Sequence, residues 1–459
     1  MRKVKIVYLP ALALVTLMAF FSACKKFVDI APPLTQAESS TVFSSDQTAT
    51  SAAVGLYYQI TASNLTYLNG AITVYTGLSS DELIEAGSNS TYDAFENNSI
   101  PSNLSAINST FWSNAYKYIY QVNAVIEGLN NSTTLSKAVK NQLMGEMLFT
   151  RALNYFYMVN LFGDVPLETS TNYLINGSMH RTAASKVYSQ IINDLLTAET
   201  LLTACYSSST NTRPNEMAAV ALLARVYLYQ KDWVNAETQA SMVINSGSYN
   251  LEPNLNNVFL ATSGETIFQL MRPANNTAEG LAFIPFSPSA KPTFAIRSSL
   301  LNAFTVGDNR KTAWLNSNTI NGTAYYYPYK YKQRSNNPVT EYNVVLRLAE
   351  VYLIRAEARA EQHNTSGAQA DINLIRNRAG LANTIASTSS GLLTAIASER
   401  QLELFAEWGH RWLDLKRTGT IDTVIGTAKS IVWKPADALY PIPLAQIQLN
   451  PFLTQNSGY

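Results

Sequence analysis

The stretch ERQLELFAEWGHRWLDLKR, residues 399–417, decides how the rest of the chain is read. Its apolar residues recur three and four apart, the spacing of a helix with one buried face, and the pattern predicts helices over Leu392–Ala406 and Arg411–Arg417. Glu399, Glu403 and Glu407 recur every four residues with His410 three further on, so they could share a helix face as metal or acid-base ligands do. Arg400, Arg411 and Asp414 are interleaved with them. Neighbouring opposite charges stabilise ionised carboxylates rather than tune them for catalysis, so the favoured reading is a structural ion-pair network.

Working outward, most of the chain after Phe111 has the same helical period. Further helices are expected at Asn141–Phe162, which stops at Gly163-Asp164-Val165-Pro166, and at Ala184–Leu202, Asn215–Gln230, Val234–Ser246, Leu346–Gln362 and Ser366–Ala379. In the pair Val220–Val243, Leu223, Ala224, Tyr227 and Ala236 occupy tetratricopeptide-like places, where small residues let two helices approach closely; the pair around Ala356 and Ala368 keeps only the small residues.

Two segments break the period, about Asn64–Thr110 and about Glu252–Tyr342. Excursions of this length are seldom mere connectors. Residues 27–116 hold no Lys or Arg but eight carboxylates, whereas residues 291–334 carry seven basic residues against Asp308. Opposite signs favour packing of one excursion on the other; two separate solvated surfaces are the alternative.

The chain has 459 residues with 33 basic and 32 acidic side chains, a balance that argues against a nucleic-acid partner. Charged residues are only 14% of the total, so the surface relies on neutral polar groups. Three histidines and two cysteines leave little scope for a metal site, and no metal or cofactor is expected. Cys205 reads as an inert buried thiol. HExxH, GxSxG, GxxxxGK and CxxC are all missing, so no catalytic residue is assigned.

At the start, Arg2, Lys3 and Lys5 precede an apolar run from Ile6 to Phe21 and then Ser22-Ala23-Cys24, the layout of a secretory leader. Residues 1–23 read as a lipoprotein signal peptide resembling a bacterial lipobox, with Cys24 as the lipidation site. Residues 24–40 read as the lipidated cysteine and a tether, and residues 41–459 as one domain.

Aromatic residues inside the excursions have a clear physical use. A sugar ring offers an apolar C–H face to an aromatic ring, while its hydroxyls need directional donors and acceptors. Tyr67, Tyr75, Tyr92, Phe95, Trp314, Tyr325 and Tyr326 are therefore candidate ligand residues. Asp81 and Glu82 either accept hydrogen bonds from sugar hydroxyls or favour a helix N-terminus.

The run 399–417 closely resembles the signature of SusD/RagB-type nutrient-uptake lipoproteins. Leu161-Phe162-Gly163-Asp164-Val165-Pro166-Leu167, Asp308-Asn309-Arg310, Ala356-Glu357-Ala358 leading to Ile375-Arg376-Asn377-Arg378-Ala379-Gly380-Leu381, and Tyr440-Pro441-Ile442-Pro443 before Gln455-Asn456-Ser457-Gly458-Tyr459 follow in the order of that family. The resemblance implies an all-α fold with four tetratricopeptide-like helix pairs and irregular excursions forming the ligand face. It also implies a surface-exposed, lipid-anchored outer-membrane protein that caps a SusC-like TonB-dependent β-barrel and hands it oligosaccharide, or in some members peptide, without breaking bonds. A helical-repeat scaffold with no small ligand is the alternative from the repeats alone. A surface glycosidase would need two opposed carboxylates.

Overall fold

A computed structural model describes residues 39–334, 338–429 and 431–459. Cys24 and the leader lie outside the described residues. Along the chain run α1 (Asp46–Thr61), α2 (Ala71–Ser79), β1 (Leu83–Glu85), α3 (Ser90–Glu96), α4 (Ser113–Asn131), α5 (Lys137–Phe162), α6 (Ala184–Leu201), α7 (Glu216–Tyr229) and α8 (Trp233–Asn245). Then come β2 (Thr266–Leu270), β3 (Phe294–Ile296), α9 (Asn309–Trp314), β4 (Leu315–Ile320), β5 (Thr323–Pro328) and β6 (Asn343–Arg347). The helices α10 (Leu348–Glu361), α11 (Thr365–Arg378), α12 (Ser389–Leu404) and α13 (His410–Arg417) follow.

The fold is helix-dominated. From α4 to α8 each helix packs on the next, α8 packs on α10, and α10 carries both α11 and α12. Their starts are set by side-chain caps: Asn215 accepts from the Ala218 N–H at 2.9 Å, Asn364 from Gly367 at 3.0 Å and Thr388 from Gly391 at 3.2 Å. Helix α5 ends at Gly163, whose φ of 74° lets the chain leave the helix without strain. Buried apolar faces of α4 to α8 and α10 join the rings of Trp314, Trp412 and Tyr440 in one main core, while α11 packs on α10 and α12 in two smaller clusters.

The excursions are more ordered than their sequence suggested. Helix α2 was not foreseen because all nine of its residues are buried, leaving no polar face to mark a period. Three antiparallel two-stranded sheets pair β1 with β3, β2 with β6 and β4 with β5. Cys205 is exposed, which corrects the expectation of a buried thiol.

Helix α12 stops at Leu404, so Glu407 is not on one helix face with Glu399 and Glu403. Ala406 (φ 51°) and Trp408 (φ 45°) take left-handed backbone in the turn that follows, a conformation costly for residues with a Cβ and held here by surrounding contacts. The Trp408 N–H donates to Thr73 Oγ1 at 3.1 Å and its indole N–H to the Val344 carbonyl at 2.8 Å. At Gly409 a side chain would meet Thr76 Oγ1 at 2.6 Å, and φ is 74°, so both space and backbone require glycine.

Candidate functional site

The signature run builds the interior. Glu403 accepts from Arg347 at 2.6 Å, from Arg310 at 3.2 Å and from Arg378. Glu399 accepts from Arg310 at 2.5 Å, and Glu407 takes Arg347 at 2.8 Å together with the Lys330 ammonium. Arg347 also reaches Glu265 at 2.9 Å. These carboxylates tie β6, α9, α11 and the residue before β2 to the signature run. The ion-pair network expected from sequence is present, but Arg400 pairs with Asp414 and Arg411 with Asp81, and the glutamates take their bases from distant elements. Burial opposes ionisation of Glu403, but Arg378, Arg347, Arg310 and Lys330 outweigh it and hold the carboxyl at about 2. Among the described residues no group of three or more His, Cys, Asp or Glu could hold a metal ion.

Asp81 and Glu82 serve the same interior and not a ligand face. Asp81 is 3% exposed and accepts two bonds of 2.7 Å from Arg411. Glu82, 2% exposed, accepts from the Ala406 N–H at 3.3 Å, and burial pushes its carboxyl up to about 8. They precede a strand, so the helix N-terminus reading also fails.

Burial corrects four aromatic candidates as well. Tyr67, Phe95 and Trp314 are fully buried and Tyr75 nearly so. Tyr67 donates to the Asn154 carbonyl at 2.7 Å, the Trp314 indole to the Leu255 carbonyl at 2.9 Å, and Tyr75 packs on Phe95 at 4.5 Å. Their rings are committed to the core and offer no face to a ligand. Sequence reasoning placed them outside because neutral polar neighbours mask a buried segment.

Tyr92, Tyr325 and Tyr326 remain part-exposed, and the structure brings the first two to neighbouring elements. The two excursions meet through β1 and β3, with Glu85 opposite Phe294 and Leu83 opposite Ile296. The oppositely charged segments therefore do pack on each other, and Arg297 pairs with Glu96 at 3.0 Å across the junction. Tyr92 on α3 stands edge-on to Phe294 at 4.8 Å, and β3 lies against β5.

On β5 the side chains alternate. Tyr326 packs partly on the core, whereas Tyr325 lies under the Lys291 ammonium, 4.7 Å from the ring centroid. The Asn318 amide donates to the Ser287 and Ala290 carbonyls at 2.9 and 2.7 Å, fixing the loop that carries Lys291 and Phe286 beside the β4–β5 hairpin. Phe286 is 79% exposed. Phe286 and Lys291 were not among the candidates read from sequence; an aromatic residue in the Pro285-Phe286-Ser287-Pro288 run, where no helix or strand can bury it, was the available signal. The patch has an aromatic surface, a cation and a polar rim, the chemistry that stacks and hydrogen-bonds a sugar.

Comparison with known proteins agrees with this architecture. A family model described as starch-binding, associating with outer membrane, matches residues 26–228, and one described as SusD family matches residues 232–459. A SusD-like protein of Formosa agariphila is 24% identical, covering 95% of this chain and 97% of its own. A solved laminarin-binding SusD-like protein shares the fold with a TM-score of 0.78 at 24% identity, covering 90% of this chain and 99% of that one. Surface glycan-binding protein A of Bacteroides fluxus does so with a TM-score of 0.74 at 24% identity and the same coverage.

Proposed function

The chain belongs to the SusD family, and from that premise we propose that it is a non-catalytic, cell-surface glycan-binding lipoprotein of the outer membrane. It acts as a lid on a SusC-like TonB-dependent β-barrel and delivers oligosaccharide for import. Residues 1–23 are the leader, Cys24 carries the lipid, residues 24–40 are the tether and residues 41–459 the binding domain.

The observation that carries the reading is the exposed ring of Phe286 on the loop that sets Lys291 over Tyr325, beside the strands where the two excursions meet. An aromatic ring left exposed on a loop held by Asn318 costs little to cover with a sugar face, and the neighbouring polar groups supply orientation. The names of the laminarin-binding and surface glycan-binding relatives support a glycan as ligand. The carboxylates of the signature run are consumed by arginines, which supports binding without bond cleavage.

The test is calorimetry of the soluble protein starting at Phe27 with laminarin and a panel of other glycans, alongside a reducing-sugar assay. Binding without sugar release is expected. Release of reducing ends by pure protein would overturn the non-catalytic reading.

A further inference from the structure

A second cleft, of about 360 Å³, opens between the start of α4, the segment after Pro166 and the C-terminal residues 446–453. It is built from elements other than those of the proposed glycan face. Trp112, Tyr116, Tyr120 and Tyr173 line it, and two of these are open to solvent, Tyr120 at 49% and Tyr173 at 75% exposed. Glu168 is the one charged side chain among the lining residues.

The backbone of Glu168 is fixed on both sides. Its N–H donates to the Tyr155 hydroxyl at 2.6 Å, and its carbonyl accepts from Asn123 at 3.0 Å. Among the described residues its carboxylate makes no hydrogen bond or ion pair, and burial pushes it up to about 7. The amides around it each spend one of their two N–H donors: Asn176 donates to the Ser170 carbonyl at 2.8 Å, Asn450 to the Met179 carbonyl at 2.9 Å and Gln446 to Asn108 at 2.9 Å. The cleft therefore presents amide groups, one negative charge and aromatic faces.

A ligand that satisfies all three carries a positive charge, hydroxyl groups that can pair with amides and some apolar surface. Ammonium groups meet aromatic faces favourably and form charge-assisted hydrogen bonds with carboxylates. We infer that this cleft is a binding site for a polyhydroxylated organic ammonium compound, an amino sugar or amino alditol, with Glu168 as its counter-ion and Tyr120 and Tyr173 as its walls. The volume is of the size that holds a small ligand.

The probe is glucamine, a six-carbon alditol with a primary ammonium group, and sorbitol is its neutral counterpart. Both are titrated into the soluble protein by calorimetry at constant ionic strength and about pH 8, where the ammonium keeps its proton and Glu168 is ionised. Glucamine is expected to bind at least about tenfold more tightly than sorbitol, the ratio a charge-assisted contact supplies. Glu168→Gln, which keeps the backbone bonds, removes the preference. Tyr173→Ala, on a side chain too exposed to affect folding, weakens glucamine binding. Equal binding of the two alditols, binding of neither, or a preference that survives Glu168→Gln would overturn the inference.

Discussion

Arg297 donates to Glu96 at 3.0 Å, and the second oxygen of the same carboxylate accepts from the Glu85 N–H at 2.7 Å. One carboxylate thus joins α3, β1 and the end of β3, and holds the proposed glycan face together. The two side chains are 16% and 22% exposed. Arg297→Ala is expected to cost about 1 kcal/mol of stability and to loosen the face, with a smaller loss at high salt. Denaturant melts at two salt concentrations check this, and an unchanged midpoint at low salt would contradict it.

Acid stability follows from the buried network. Against opposition from burial, Arg225 and His410 hold Glu350 at about 2, and the arginines around Glu403 hold it there too, both below an ordinary 4.5. Such groups contribute stability that is fully present above about 4.5 and lost as pH falls toward 2. Burial also pushes His410 from 6.5 down to about 4, so acid begins to favour the unfolded chain below about 6.5. The carboxyls of Glu82 and Glu168, pushed up to about 8 and about 7, act the other way and favour the folded chain as pH falls toward 4.5, so the calorimetric melting temperature is expected to fall at pH below about 4.5. In Glu403→Gln, buried arginines lose their partner, and destabilisation of about 3–5 kcal/mol at neutral pH should accompany a shallower acid slope.

Trp314 and Tyr326 distinguish core from surface. Trp314→Ala removes a fully buried ring that also bonds the Leu255 carbonyl, so a loss of about 3–5 kcal/mol is expected. Tyr326→Ala, at a half-buried site on β5, should shift the melt much less. Paired thermal melts settle the order, and a Trp314→Ala protein as stable as the parent would refute the placement.

Cys24 is the proposed anchor. Cys24→Ser should abolish incorporation of labelled fatty acid and move the protein out of the membrane fraction, because one or more acyl chains supply the membrane affinity. Retention of the label would place the lipid elsewhere.

How much of this was legible can be argued from particular residues. Helices such as α6 were readable because they bury one face, as Val187, Ile191, Leu195 and Ala198 do, whereas the short α9 inside the second excursion was not. That Glu399, Glu403 and Glu407 serve ion pairs was readable, but their partners Arg310, Arg347 and Arg378 were not, nor was the turn at Ala406–Trp408, since nothing in those residue types calls for left-handed backbone. Tyr67, Tyr75, Phe95 and Trp314 misled because a buried aromatic ring and a ligand-binding one have the same local composition; only tertiary packing separates them. The meeting of the two excursions was visible in their charge and appears as the Arg297–Glu96 pair. Phe286 escaped notice because its loop is fixed by the Asn318 amide, which bonds the Ser287 carbonyl from thirty-one residues away in sequence.

The central claim is that the patch of Phe286, Lys291 and Tyr325 holds the glycan. The most direct measurement is calorimetric affinity for a glycan found to bind the parent, repeated on the Phe286→Ala/Tyr325→Ala protein with its melting temperature taken in parallel. The account predicts at least about a tenfold loss of affinity, since stacking contacts contribute on the order of 1 kcal/mol each, with little change in the melt. Undiminished affinity in a folded double variant would contradict it.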